Sequence, residues 1–164
     1  MSADRIETAA EAMEAEALPH AHVVHTDPDA KSTEDEPLPK SVTAKPQKAK
    51  SPAEWAYQRM VLYIKNFEEQ LDDQHEIAMA FAGDASGVMR IEGMGYFDPD
   101  IITFYGTDPT GARTQLVQHV SQLSVMLRAL PKGVAKEAPR RIGFRLVDDL
   151  DAQITVRSEP QKGS

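Results

Sequence analysis

Val88-Met-Arg-Ile-Glu-Gly-Met-Gly-Tyr-Phe97, Asp98-Pro-Asp100, Ile101-Ile-Thr-Phe-Tyr105 and Ala112-Arg-Thr-Gln-Leu-Val-Gln-His119 follow one another with only turn residues between them. In the first segment Arg90 and Glu92 alternate with Met89 and Ile91, the period of a half-buried antiparallel strand. Gly93 and Gly95 interrupt it, and glycines inside a strand mark a bulge, a bend or a close backbone approach. Asp98, Pro99 and Asp100 turn the chain. Asp108-Pro109-Thr110-Gly111 has the residue types of a type I turn closing a hairpin. Three strands over 88–97, 101–105 and 112–119, joined by short turns, predict an antiparallel meander.

Working back towards the N-terminus, Ile77, Met79 and Phe81 alternate with Ala78, Ala80 and Ala82, predicting a further strand over 76–82 with an alanine face. Before it, Ala53, Ala56, Tyr57, Met60, Ile64, Phe67 and Leu71 recur at steps of three and four, one apolar stripe of a helix over 52–72. Ser51-Pro52-Ala53-Glu54 is a helix start: Ser51 accepts from the Glu54 N–H, Glu54 reaches back, and Pro52 needs no donor in the first turn.

Working forward, Ser121 is a good N-cap, and Leu123, Met126, Leu127 and Leu130 repeat at helical spacing up to Pro131 and Gly133. This predicts a second helix. Ile142, Phe144 and Leu146 alternate with Arg141, Gly143 and Arg145, predicting a last strand over 141–147. Ile154 and Val156 alternate too, but the three aspartates before them favour a polar tail from about residue 148. The expected fold is α+β, order α-β-β-β-β-α-β: a four- to five-stranded antiparallel meander with two helices on one face.

All ten aromatic residues lie between Trp55 and Phe144, and the first fifty residues hold five of the eleven prolines and no glycine. A segment without aromatics buries too little to offset its ordering entropy. The expected organisation is a disordered tail over 1–50, a domain over 51–147 and a flexible end over 148–164. Within the tail, Ile6, Ala9, Ala10, Met13 and Ala17 fall near helical spacing, and His20, His22 and His25 read as ordinary tail histidines rather than a metal site.

The net charge of −8 argues against nucleic-acid binding, which needs a basic patch to displace counterions. There is no cysteine, so no thiolate chemistry and no cysteine metal site. The start shows no apolar leader and no stretch has the length of a membrane span, so no membrane partner is expected and the expected compartment is the cytoplasm.

No catalytic, cofactor or metal signature stands. Gly106 and Gly111 have phosphate-loop spacing, but the lysine is missing and the segment joins two strands. His119 lies two residues from Ser121, where a capping role explains the serine. Asp98 and Asp100 flank a turn proline. Arg90, Arg113, Arg140, Arg141 and Arg145 could meet on one sheet surface and form an anion or partner patch.

The run Arg90–Gly106, with GMGYF and ITFYG, followed by Gln115-Leu-Val-Gln-His-Val-Ser-Gln-Leu123, resembles a family of uncharacterised bacterial proteins over about 51–146. The resemblance implies a bacterial protein and supports the domain limits; it implies no cofactor and no catalytic residue.

Three functions are therefore expected to compete. One is a non-catalytic protein-interaction module, self-associating as a homodimer through a sheet edge. Another is an enzyme or small-ligand binder with a pocket near Tyr96, Phe97, Tyr105, Arg113 and His119. The last, by analogy of size and charge, is an acidic secretion-chaperone-like dimer. Across these readings the candidate partner or ligand surface is Arg90, Tyr96, Phe97, Tyr105, Arg113, His119, Arg141 and Arg145.

Overall fold

A computed structural model describes residues 20–81, 87–133 and 137–158, with side chains as far as 153. The helical spacing noted over 6–17 lies outside the described residues, as do residues 159–164. The elements in order are α1 (Lys40–Thr43), α2 (Pro52–Glu69), β1 (His75–Phe81), β2 (Met89–Phe97), β3 (Ile101–Thr107), β4 (Arg113–His119), β5 (Val125–Pro131) and α3 (Gly143–Ser158). The class is α+β, with one five-stranded antiparallel sheet in the order β4-β3-β2-β1-β5.

The meander over β1–β4 follows the expected turns. Asp108 Oδ1 accepts from the N–H groups of Thr110 and Ala112, both at 2.9 Å, and Gly111 takes a φ of +87° that favours glycine. In β2 the register slips between Ile91 and Gly93, so Glu92 is a bulge residue. Beyond that bulge β2 pairs with β3, while β1 meets β2 only at Ala78–Arg90 and Met79–Met89. Gly106 lies opposite Ile91 at this bend; a Cβ there would stand 2.1 Å from the Arg90 carbonyl oxygen.

The last two elements come in the reverse of the expected order. Residues 125–131 form a strand, not a helix, and pair with β1 along its whole length, from Phe81–Val125 to His75–Pro131. The free edge of β1 offers a row of backbone donors and acceptors, and satisfying it outweighs a helical pattern built from Leu and Met. Ser121 caps no helix: it lies inside a 3-10 turn over Val120–Gln122, and the residue that caps that turn is His119. Five residues join β4 to β5 although these strands are the two edges of the sheet. Such a link spans roughly 20 Å at full stretch, yet it leaves β4 at the Phe97 end of β2 and enters β5 beyond the Met89 end, so the sheet has to curl.

Residues 143–158 form a helix, not a strand and tail. The alternation of Ile142, Phe144 and Leu146 hid a step of four: Ile142, Leu146 and Leu150 all enter the core, while Phe144 is left exposed. The start of α3 is fixed by the buried Glu68 at the end of α2, whose carboxylate accepts from the backbone N–H groups of Ile142 and Gly143. A side chain at 143 would collide with that carboxylate, with its Cβ 2.6 Å from Glu68 Oε1. Burial pushes the Glu68 carboxyl up, against the two N–H donors and the Arg141 charge.

The core lies between α2 and one face of the sheet. Tyr57, Val61 and Ile64 meet Ile77, Met79, Met89, Ile91, Ile102 and Phe104. This core also reaches back before Ser51. Val42, in α1, is 1% exposed and belongs to it, so the ordered unit begins ahead of the expected limit at 51. Ser51 accepts from the Glu54 N–H at 3.0 Å as the start signal required. The Glu54 carboxylate is buried and serves another end: it takes Lys45 Nζ at 2.8 Å and the Tyr96 hydroxyl at 3.2 Å. Helix, sheet and the segment before the helix are joined through that one carboxylate.

Candidate functional site

Strand geometry sorts the candidate residues by face. In β3, Ile102, Phe104 and Gly106 are buried, and in β4 Thr114, Leu116 and Gln118 are half-buried; these face α2. The alternate residues face outward. There Phe97 is 76% exposed, Val117 58% and Tyr105 43%. Cross-strand pairing brings Phe97 beside Ile101 and His119, Gly95 beside Thr103 and Val117, and Gly93 beside Tyr105 and Gln115. The two glycines leave the Tyr105 and Thr103 side chains uncovered on that side: Cβ atoms there would touch Tyr105 and Thr103. Single exposed apolar residues are ordinary, but two aromatic residues and a valine set on one face of three adjacent strands have the composition of a contact surface.

The edge beside this patch is open. Among the described residues β4 pairs with β3 alone. Edge strands are usually blunted by proline, a bulge or inward charges. Arg113-Thr-Gln-Leu-Val-Gln-His119 has no proline, bulge or inward charge, whereas β5 ends in Pro131. Gln118 Oε1 is buried on the open strand and has no hydrogen-bond partner. A buried unsatisfied acceptor asks for a physical explanation.

Of the other expected site residues, Tyr96 points the opposite way. Its ring packs on Tyr57 with centroids 5.0 Å apart and its hydroxyl is bound to Glu54. Tyr96 therefore shares no pocket with Tyr105, and Arg113 and His119 stand at opposite ends of β4. The arginines converge only in part. Arg90 donates to Glu76 at 3.1 Å and to the Pro131 carbonyl at 2.8 Å. Arg141 donates to the carbonyls of His75 and Asp72, and Arg140 reaches Glu92 at 3.3 Å. These contacts hold the linker before α3 over the place where β1 and β2 part. Arg145 lies over the Phe144 ring at 5.9 Å, beside a cleft of about 310 Å³ with Arg140 and Arg141. Arg113 faces outward on β4, away from that group.

His119 makes a second arrangement worth testing as chemistry. Its Nδ1 is 2.7 Å from Ser121 Oγ and its Nε2 is 3.1 Å from the Asp100 carboxylate. This has the order of a nucleophile, a base and an orienting acid. However, Nδ1 also accepts the Ser121 backbone N–H at 3.1 Å, and Gln122 closes the reciprocal bond to the His119 N–H. The imidazole is a helix cap. His119 and Asp100 are exposed at 46% and 41%, where hydrogen bonds gain little from a dry surrounding.

Two larger clefts flank α2. One, about 550 Å³, is lined by Tyr57, Tyr96, Phe97, Asp98, Asp149 and Gln153 among others. Burial, and after it the Asp149 charge, raise the Tyr57 hydroxyl, which stays a donor to Asp149 at 3.4 Å. The other, about 890 Å³, lies between residues 20–47 and α2, where the Arg59 guanidinium sits 4.5 Å above the Trp55 ring. The Tyr63 hydroxyl donates to Glu34 there and holds that carboxyl below the usual range. Among the described residues no group of three or more His, Asp or Glu side chains is placed to hold a metal ion, and no helix is long and apolar enough to cross a membrane.

The open strand was not singled out by sequence reasoning. Its signal was the lack of proline, bulge or inward charge between Arg113 and His119, which matters only once β4 is known to be an edge.

Comparison with known proteins gives one match. A model for a family of unknown function (DUF6173) covers residues 45–145, and the chain belongs to that family. No curated protein and no solved structure matches it.

Proposed function

We propose that this member of a family of unknown function is a non-catalytic protein-interaction module, acting in the bacterial cytoplasm. Its docking surface is the outward side of β2–β4 together with the β4 edge. The observation that carries this reading is the exposure of Phe97, Tyr105 and Val117 on one side of the adjacent strands β2, β3 and β4, the last of which has an outer edge that pairs with nothing among the described residues. A strand edge supplies backbone hydrogen bonds and the neighbouring side chains supply selectivity. The same side chains contribute little to the core, so their exposure is not explained by folding.

Affinity purification from the native host tests it. The full-length chain should retain a protein that Val117→Asp loses, because a charge in the middle of the patch has to be desolvated on docking. The same set of proteins retained by both forms would contradict the proposal.

A further inference from the structure

Resting on that reading, we infer that the occupant of the β4 edge is a second copy of this chain, paired antiparallel to the first about a twofold axis at Leu116. In that register residue 113 faces 119, 114 faces 118, 115 faces 117 and 116 faces itself. A twofold contact presents the same patch from both sides, so the strand has to be complementary to its own reverse.

Arg113-Thr-Gln-Leu-Val-Gln-His119 meets that condition. Arg113 of one copy faces His119 of the other, and the Asp100 carboxylate lies 3.1 Å from that imidazole, so the guanidinium arrives at an acidic group. A shift that set Arg113 opposite Arg113 would oppose like charges. Thr114 and Gln118 share the helix-facing side of the strand, so the pairing sets Thr114, whose hydroxyl donates to the Ala112 carbonyl at 3.1 Å, opposite Gln118, whose buried Oε1 has no hydrogen-bond partner among the described residues. On the other side Gln115 packs beside Val117, and the two Phe97–Tyr105–Val117 patches become neighbours on one continuous sheet. The contact is one strand wide, which puts it in the small, reversible class of interfaces.

The chain has no cysteine, so introduced thiols report the register directly. Directly opposed residues in an antiparallel pair come within disulfide reach, and residues displaced by two positions do not. Sedimentation equilibrium of the full-length chain should show a monomer–dimer equilibrium below about 300 µM. Under mild oxidation, a mixture of Gln115→Cys and Val117→Cys should cross-link at least about tenfold faster than either variant alone. Arg113→Glu should weaken dimerisation about tenfold, and adding Asp100→Arg should restore most of it. Should the Asp100 substitution unfold the turn, Arg113→Ala with the cysteine pair reads the same contact.

A monomer throughout that range overturns the second copy as occupant. If the host protein lost by Val117→Asp is still found, the interaction reading survives that result, and if it is not, both fail. A dimer whose cross-linking does not prefer the mixture overturns the register.

Discussion

Ile102 and Phe104 on the helix-facing side of β3 are sealed from water, while Tyr105, one residue on, and Val117 on the paired strand are open to it. The same strands build both sides, so the difference is not one of secondary structure. It is one of cover. Helix α2 lies on one side with Val61 and Ile64, and α3 packs behind it through Leu146 and Leu150. On the other side Arg140, in the linker before α3, is bound to Glu76 and Glu92, while Phe97, Tyr105 and Val117 stay exposed. The lesson is that large apolar side chains in this sheet do two jobs, and that burial separates them where composition does not.

That contrast can be broken most severely at the bend of the sheet. Gly106→Ala would drive a Cβ into the Arg90 carbonyl and the Met89 side chain, and backbone cannot step aside as a side chain can. The expected loss is about 3 kcal/mol or more in urea unfolding, and a loss below about 1 kcal/mol would mean the strands are not this close. Leu150→Ala should come next. At 2% exposure its removal leaves a cavity, costing about 2–4 kcal/mol. A negligible cost would return residues 148–158 to the role of a loose end.

Glu68 gives a smaller effect with a definite sign. Because burial raises its carboxyl, the folded chain holds that proton more tightly than the unfolded chain. Its contribution is most favourable at low pH and is lost as pH rises from the ordinary glutamate range through the raised folded value. Glu68→Gln removes this dependence. The stability of the variant relative to the native chain should therefore climb between about pH 4 and about pH 7, and a fall over that interval would contradict the assignment.

The sequence made some of this architecture legible and hid the rest for identifiable reasons. The β2–β4 meander could be read because alternation and turn residues agree there, as at Asp108–Gly111. Residues 121–131 and 141–158 could not, because each carries both periods. Met126, Leu127 and Leu130 suit a helix as well as Val125 and Leu127 suit a strand, and the choice is made by the distant edge of β1. Ile142 and Leu146 satisfy a step of two and a step of four, and the choice is made by Leu150 and by Glu68 at the helix start. Glu54 looked like a local cap, yet its carboxylate serves contacts 9 and 42 residues away in sequence. For the candidate surface, type alone grouped Tyr96 with Tyr105. Neighbouring strands and strand period separate them, one tied to Glu54 in the core and the other outward.

The smallest expected effect is also the most direct test of the claim that the outward side serves a partner rather than the fold. Equilibrium urea unfolding of the native chain and of Phe97→Ser/Val117→Ser should be compared at about 1 µM and about 200 µM. At the low concentration the two should agree within about 1 kcal/mol, since neither side chain is buried by folding. At the high concentration the native chain should gain stability and the variant should not. A loss of more than about 2 kcal/mol in the variant at both concentrations would place Phe97 and Val117 in the fold's own core and contradict the account.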